Sequence, residues 1–142
     1  MQTKSPKKIV LDAWAVLALI FGEEPAAGVI KRLFDREDIA RSYINISWIN
    51  LGEVYYIVSR SKGREAAADV LDDIHLLPLT LHEPSKADIL AAAKLKAEHK
   101  LSYADAFAVS LAQNLRGTLF TGDPEILLLD GTVKINKLSR NR

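Results

Sequence analysis

Four acidic residues in this 142-residue chain stand where a carboxylate can do chemistry. Asp12 ends the apolar run Ile9-Val10-Leu11, and Asp123 follows the run Thr118-Leu119-Phe120-Thr121 after a single glycine. Asp105 falls in the opening turn of an apolar-striped helix. Glu53 closes the spacing Ser47-x-x-Asn50-x-x-Glu53, whose polar positions form a narrow strip on one helix face. The intervening Trp48, Leu51, Val54, Tyr55 and Val58 read as core contacts. Parallel α/β sheets bind ligands at the carboxyl ends of their strands, near the point where strand order reverses. Asp12 and Asp123 belong to that edge, and Asp105 and Glu53 can reach it from helices. Carboxylates that share a crevice raise one another's pKa, and a divalent cation removes the conflict. Oxygen donors without His or Cys select Mg²⁺ or Mn²⁺. Such an ion lowers the pKa of an attacking water and neutralises charge on a phosphate, which suits phosphodiester hydrolysis. Attack by water would leave 5′-phosphate and 3′-hydroxyl ends.

Each acid also has a plain structural explanation. Asp105 is the acidic half of the capping box Ser102-Tyr103-Ala104-Asp105. Asp12 and Asp123 are helix N-caps. Glu53 can pair with Arg60 or lie in solvent. The set argues for a site because Glu53 has no capping role and both strand-end acids share one edge. Glu125 and Asp130 are further candidates outside this set of four. Other chemistries lack their residues. There is no cysteine, no phosphate-cradling glycine loop of either common type, no G-x-S-x-G elbow and no H-E-x-x-H. His75, His82 and His99 read as surface or helix-end residues.

The elements that must position these acids alternate between short β-rich runs and helices. Strands are predicted at 8–12, 39–46, 77–81, 118–121 and 133–138. Helices are predicted at 14–22, 26–36, 47–60 and 65–76, then from the Ser85–Asp88 capping box to about Lys100, and from Ser102 to Leu115. The Ser102 helix places Ala104, Phe107, Ala108, Leu111, Ala112 and Leu115 on one core-facing stripe. Asp123-Pro124 opens a short last helix. Strands separated by helices imply βαβ units and a three-layer α/β/α sandwich with a mainly parallel sheet. Length and the absence of a linker predict one domain over residues 1–142.

Hydrophobic residues make up 49% and charged residues 26%, as in a globular chain. The net charge of +1 conceals a segregation. Lys4, Lys7 and Lys8 lie in a basic start (1–8), and Lys134, Lys137, Arg140 and Arg142 in a basic end (131–142), neither of which holds an acid. The body between them carries 12 bases and all 18 acids, a net of −6. The ends, with Arg60, Lys62 and Arg64 in one loop, are candidate RNA phosphate contacts or simply solvated cations. Asp12 interrupts the apolar run after the first lysines, and Ala13–Phe21 is too short to span a bilayer. A soluble cytoplasmic protein without a membrane association is expected.

Ile9-Val-Leu-Asp12, Asn50-x-x-Glu53, Ser102-Tyr-Ala-Asp105-Ala-Phe-Ala and Leu119-Phe-Thr-Gly-Asp123 recur in this order in a known family. Over about residues 8–125 the chain resembles PIN-domain ribonucleases, and most of all the VapC-type toxins of toxin–antitoxin pairs. The resemblance implies a metal-dependent endoribonuclease whose acidic metal positions are Asp12, Glu53, Asp105 and Asp123. It puts Thr121 beside the last aspartate or the metal's water, with Asn50 in a supporting place. It also implies a homodimer and a cognate antitoxin that fills the groove. The apolar helices Trp14–Phe21 and Ala26–Phe34 could supply that surface or pack into the core. The family commonly carries a hydroxyl residue or Asn just after the first aspartate, where this chain has Ala13-Trp14. That departure sustains an alternative, a PIN scaffold that binds RNA or protein without catalysis. A phosphotransferase with Asp12 as nucleophile ranks lower, because Trp14 replaces the second acid of the D-x-D pattern.

Overall fold

The computed structural model describes residues 7–36 and 40–141. Lys4 and Arg142 of the basic ends, and Ile39, where the second strand is predicted to start, lie outside the described residues. The first strand is β1 (Ile9–Leu11), followed by α1 (Ala13–Ile20) and α2 (Ala26–Phe34). Next come β2 (Ile44–Ser47), α3 (Trp48–Lys62), α4 (Arg64–His75) and β3 (Thr80–His82). Two longer helices follow, α5 (Lys86–Glu98) and α6 (Tyr103–Leu115). The chain continues through β4 (Thr118–Thr121), the single-turn α7 (Pro124–Leu127) and β5 (Lys134–Lys137).

The five strands form one sheet in the order β3-β2-β1-β4-β5, with every neighbouring pair parallel. The expected three-layer arrangement is therefore present, with a wholly parallel sheet. Alternation along the central strand splits the core in two. Ile9 and Leu11 pack with residues of α1 to α4, such as Val16, Ile30, Val54 and Ile74. Val10 points to the other face, with Ala92 and Leu95 of α5 and Val109 of α6. This period-2 switch is what a strand buried on both faces requires.

Two strands begin later than the sequence suggests. The backbone turns before β2: Tyr43 N–H bonds the Ala40 carbonyl, and the Ser42 and Tyr43 carbonyls accept from the Asn45 side chain. Before β3, Leu77 N–H bonds the Ile74 carbonyl and Leu79 N–H bonds that of Leu77. This tight turn uses Pro78, which has no N–H to give a sheet. The buried face of α6 is also wider than one stripe. Ala106, Val109 and Ser110 are buried along with Phe107, Ala108 and Ala112, because α5 and α3 pack on it as well as the sheet. At its end Arg116 adopts the left-handed cap, φ 53°. Gly117 is needed for another reason: a Cβ there would lie 2.8 Å from the Lys8 carbonyl oxygen, which accepts the Thr118 N–H that begins the β1–β4 pairing.

Candidate metal centre at the carboxyl edge of the sheet

Chain order reverses beside β1. The chain runs outward from β1 to β2 and β3, then returns as β4 on the opposite side of β1. The carboxyl ends of β1 and β4 therefore flank the switch point, and Asp12 and Asp123 follow these two strands. Asp12 is fully buried. Its Oδ1 accepts the Ala15 N–H at 2.9 Å, which caps α1, and its Oδ2 accepts the Thr121 hydroxyl. The Thr121 oxygen in turn accepts the Asp123 N–H at 3.0 Å. One hydroxyl thus ties the two strand-end acids together. Asp123 caps α7 by accepting the Glu125 N–H at 2.8 Å.

Asp105 enters from the first turn of α6 and is buried. Ser102 Oγ accepts its backbone N–H at 3.1 Å, while the reciprocal bond of a full capping box is formed at Ser85–Asp88 and not here. The predicted box is thus half-made, and the Asp105 carboxylate turns toward the other acids. One of its oxygens lies with one each from Asp123 and Glu125, all within 4.8 Å of one another. Asn50 and Glu53 approach from α3. Asn50 Nδ2 donates to the Ala104 carbonyl at 3.0 Å and so fixes α3 against the start of α6. Asn50 Oδ1 and Glu53 Oε1 are both buried without a hydrogen-bond partner.

The electrostatics follow from burying like charges. Burial pushes the Asp12 carboxyl up to about 7, and the charges of Asp105 and Asp123 add to this against the Thr121 and Ala15 hydrogen bonds. Burial and then the Asp123 charge raise Asp105 to about 7, with Glu53 and Glu125 adding and the Ser102 hydroxyl opposing. Glu53 is also raised, by burial first and then by Asp123. A cation reverses each of these penalties. All-oxygen donors, two orphaned buried oxygens and mutually repelling carboxylates together fit a hard divalent ion.

A search for the PIN domain family finds a match over residues 9–131. The chain belongs to the PIN domain family. No curated protein matches this PIN domain significantly by sequence. Solved structures share its fold. In the structure of VapBC2 from Rickettsia felis, bound to a DNA fragment from its promoter, the similar chain gives a TM-score of 0.69 at 20% identity, covering 92% of this chain and 98% of that one. VapC20 of Mycobacterium tuberculosis, described as a sarcin–ricin-loop-cleaving toxin, gives 0.71 at 16%, covering 87% and 95%. The DNA-bound VapBC of Salmonella typhimurium gives 0.68 at 17%, covering 92% and 98%.

Of the four predicted acids the structure brings Asp105 and Asp123 within ligand distance, together with Glu125, while Asp12 and Glu53 lie outside that group and near enough to feel its charge. Glu125 stands closer to the centre than its sequence context suggested. As the second residue of a short helix it looks like a helix-start acid, and only the fold brings Asp105 to meet it. Asp130 is exposed beyond α7 and takes no part. Arg60, Lys62 and Arg64 are not brought to the acids. Arg60 covers the Tyr56 ring at 5.2 Å and Lys62 lies 5.8 Å from that of Phe21. The three do not share a loop: Arg60 and Lys62 lie in the last turn of α3, roughly 10 Å of helix beyond Glu53, and Arg64 opens α4 after Gly63 alone. Among the described residues no helix is long and apolar enough to cross a membrane.

Proposed function

We propose that this chain is a Mg²⁺- or Mn²⁺-dependent endoribonuclease, working in the cytoplasm as the toxin of a toxin–antitoxin pair. Residues 1–142 act as one domain. Asp12, Glu53, Asp105 and Asp123 hold the metal, and Glu125 joins them. What supports the reading is the group of carboxylates beside the switch point, together with the unpartnered oxygens of Asn50 and Glu53. When bound, the ion would supply acidity to an attacking water and neutralise charge on the scissile phosphate.

The protein's own groups do the rest. Thr121 holds Asp12 and the Asp123 backbone in fixed relation, so the two strand-end carboxylates are aimed before any ligand arrives. Asn50 locks α3 to α6 and thereby sets Glu53 against Asp105. The α1 and α6 N-termini point their positive ends at Asp12 and Asp105 and partly offset the cost of burying charge. Without the ion Asp12 and Asp105 sit at about 7, so binding it near neutrality would displace their protons. Arg60, Lys62 and Arg64 would contact RNA phosphates outside the reacting centre.

The similar chains belong to VapBC structures, which supports an antitoxin partner here, and the family resemblance implies a homodimer. An apolar cleft of about 360 Å³, lined by residues including Val16, Leu19, Ile20, Phe34 and Val70, offers a partner helix a place to bury an apolar face. Asp12→Asn and Asp105→Asn in a metal-dependent RNA cleavage assay test the reading. Both folded variants should lose activity. Undiminished cleavage would overturn the assignment, and Mn²⁺ binding without cleavage of any RNA would favour the non-catalytic alternative.

A further inference from the structure

We infer that Trp14 is a positioning residue that sets the Asp123 side of the metal centre, and that the C-terminal segment 138–141 latches it. The inference rests on the metal reading above and names residues outside the acidic set.

Trp14 lies in the first turn of α1, two residues after Asp12. Its indole packs directly on Gly122, so closely that a Cβ on that glycine would lie 2.4 Å from Cη2 and Cζ2 of the ring. Gly122 is the link between Thr121 and Asp123. The helix that Asp12 caps therefore presses, through Trp14, on the turn that delivers Asp123. Thr121 joins the same two segments from the inside, and Trp14 joins them from the outside.

The indole is itself held. The Arg140 guanidinium lies 5.1 Å from the ring centroid, and its Nη1 bonds Glu23 Oε1 at 3.1 Å. The backbone around Arg140 is stitched at both ends. Leu138 N–H donates to the Thr121 carbonyl at 2.8 Å, Ala26 N–H to that of Ser139 at 3.0 Å, and Asn141 N–H to that of Glu24 at 2.7 Å. Segment 138–141 thus bridges the end of β4 and the α1–α2 connection, and places its one cation on the indole. The geometry suits a clamp: ring on glycine, guanidinium on ring, carboxylate on guanidinium.

Removing the ring should loosen Asp123 and weaken metal binding. Titration calorimetry of Mn²⁺ on the full chain tests this. Affinity should fall about 10-fold in Trp14→Ala, as when a group bracing a metal ligand is lost. It should fall about threefold in Arg140→Gln, the scale of an exposed cation–π contact. Trp14→Phe, which keeps an aromatic ring on Gly122, should recover most of the loss. A second readout uses fluorescence, since Trp14 and Trp48 are the only tryptophans. In Trp48→Phe, bound Mn²⁺ should quench Trp14 emission saturably, and Asp105→Asn should abolish that quenching.

A purely structural role would lower melting temperature in EDTA and leave Mn²⁺ affinity unchanged, and that result in Trp14→Ala overturns the inference. If Trp14→Ala does not fold, unchanged affinity in Arg140→Gln overturns it. Wild-type protein that binds no Mn²⁺ overturns both the inference and the metal reading. Mn²⁺ binding that depends on Trp14, in a protein that cuts no RNA, supports the inference and overturns the nuclease.

Discussion

Replacing Asp105 with asparagine should make the metal-free protein more stable at pH 8, although it removes a residue of the proposed site. The Asp105 carboxyl is lifted from 3.8 to about 7. Between these values the folded protein keeps a proton that the unfolded chain has released. The resulting stability is complete below about pH 4 and is lost as pH rises through 7. A lift of that size corresponds to roughly 4 kcal/mol at pH 8. Part of it comes from Asp123, Glu53 and Glu125, which are nearer solvent and screened, so about 2 kcal/mol is a fairer expectation. Asparagine mimics the protonated acid and keeps the backbone N–H bond to Ser102 Oγ. For a chain of this size the gain is roughly 4–8 °C in melting temperature. The assay is thermal unfolding by circular dichroism in EDTA at pH 5.5 and 8. Wild-type protein should melt lower at pH 8 than at pH 5.5, and the variant should show a smaller drop. Adding Mn²⁺ at 100 times its Kd should restore about 2.7 kcal/mol to wild type and much less to the variant. A metal-free wild type as stable at pH 8 as at pH 5.5, or a variant no more stable than wild type at pH 8, would refute the reasoning.

Thr121→Val keeps the shape but deletes the hydroxyl between Asp12 and the Asp123 N–H, so it should cost about 1–3 kcal/mol in urea unfolding. Gly122→Ala forces a methyl into the Trp14 indole and should cost about 1–3 kcal/mol, read by melting temperature. Asn50→Ala frees the Ala104 carbonyl and should lower both stability, by about 1–3 kcal/mol, and Mn²⁺ affinity by calorimetry. On the proposed function, RNA affinity in a filter-binding assay should fall with rising salt and on addition of EDTA, because basic side chains and the metal would each meet phosphates.

The layered fold was legible because both of its signals are local. Ile9-Val10-Leu11 is short, apolar and followed by a capping acid, and Ser85 and Ser102 announce helix starts. Asp12, Asp105 and Asp123 were legible for the same reason, since all three sit where helices begin. Glu53 stood out because, unlike the other three acids, it had no capping role. What stayed hidden depends on contacts between distant segments. Glu125 reads as an ordinary helix-start acid until α6 brings Asp105 beside it. Trp14 and Arg140 are 126 residues apart, and no local pattern pairs them. The second strand starts later than predicted because Ala40, Arg41 and Ser42 have little strand preference, and the chain turns there, with Tyr43 N–H on the Ala40 carbonyl and the Asn45 side chain on that of Ser42.

The sheet order also has a temporal consequence. β1 is the first strand made, yet one of its two neighbours is β4. On a ribosome adding roughly 5–20 residues per second, the wait from Leu11 to Phe120 lasts about 5–20 s. Through that interval the edge of β1 that belongs to β4 has no native partner, and Asp12 has neither Thr121 nor Asp123 beside it. The candidate metal centre is therefore incomplete until all but the last few elements have been translated.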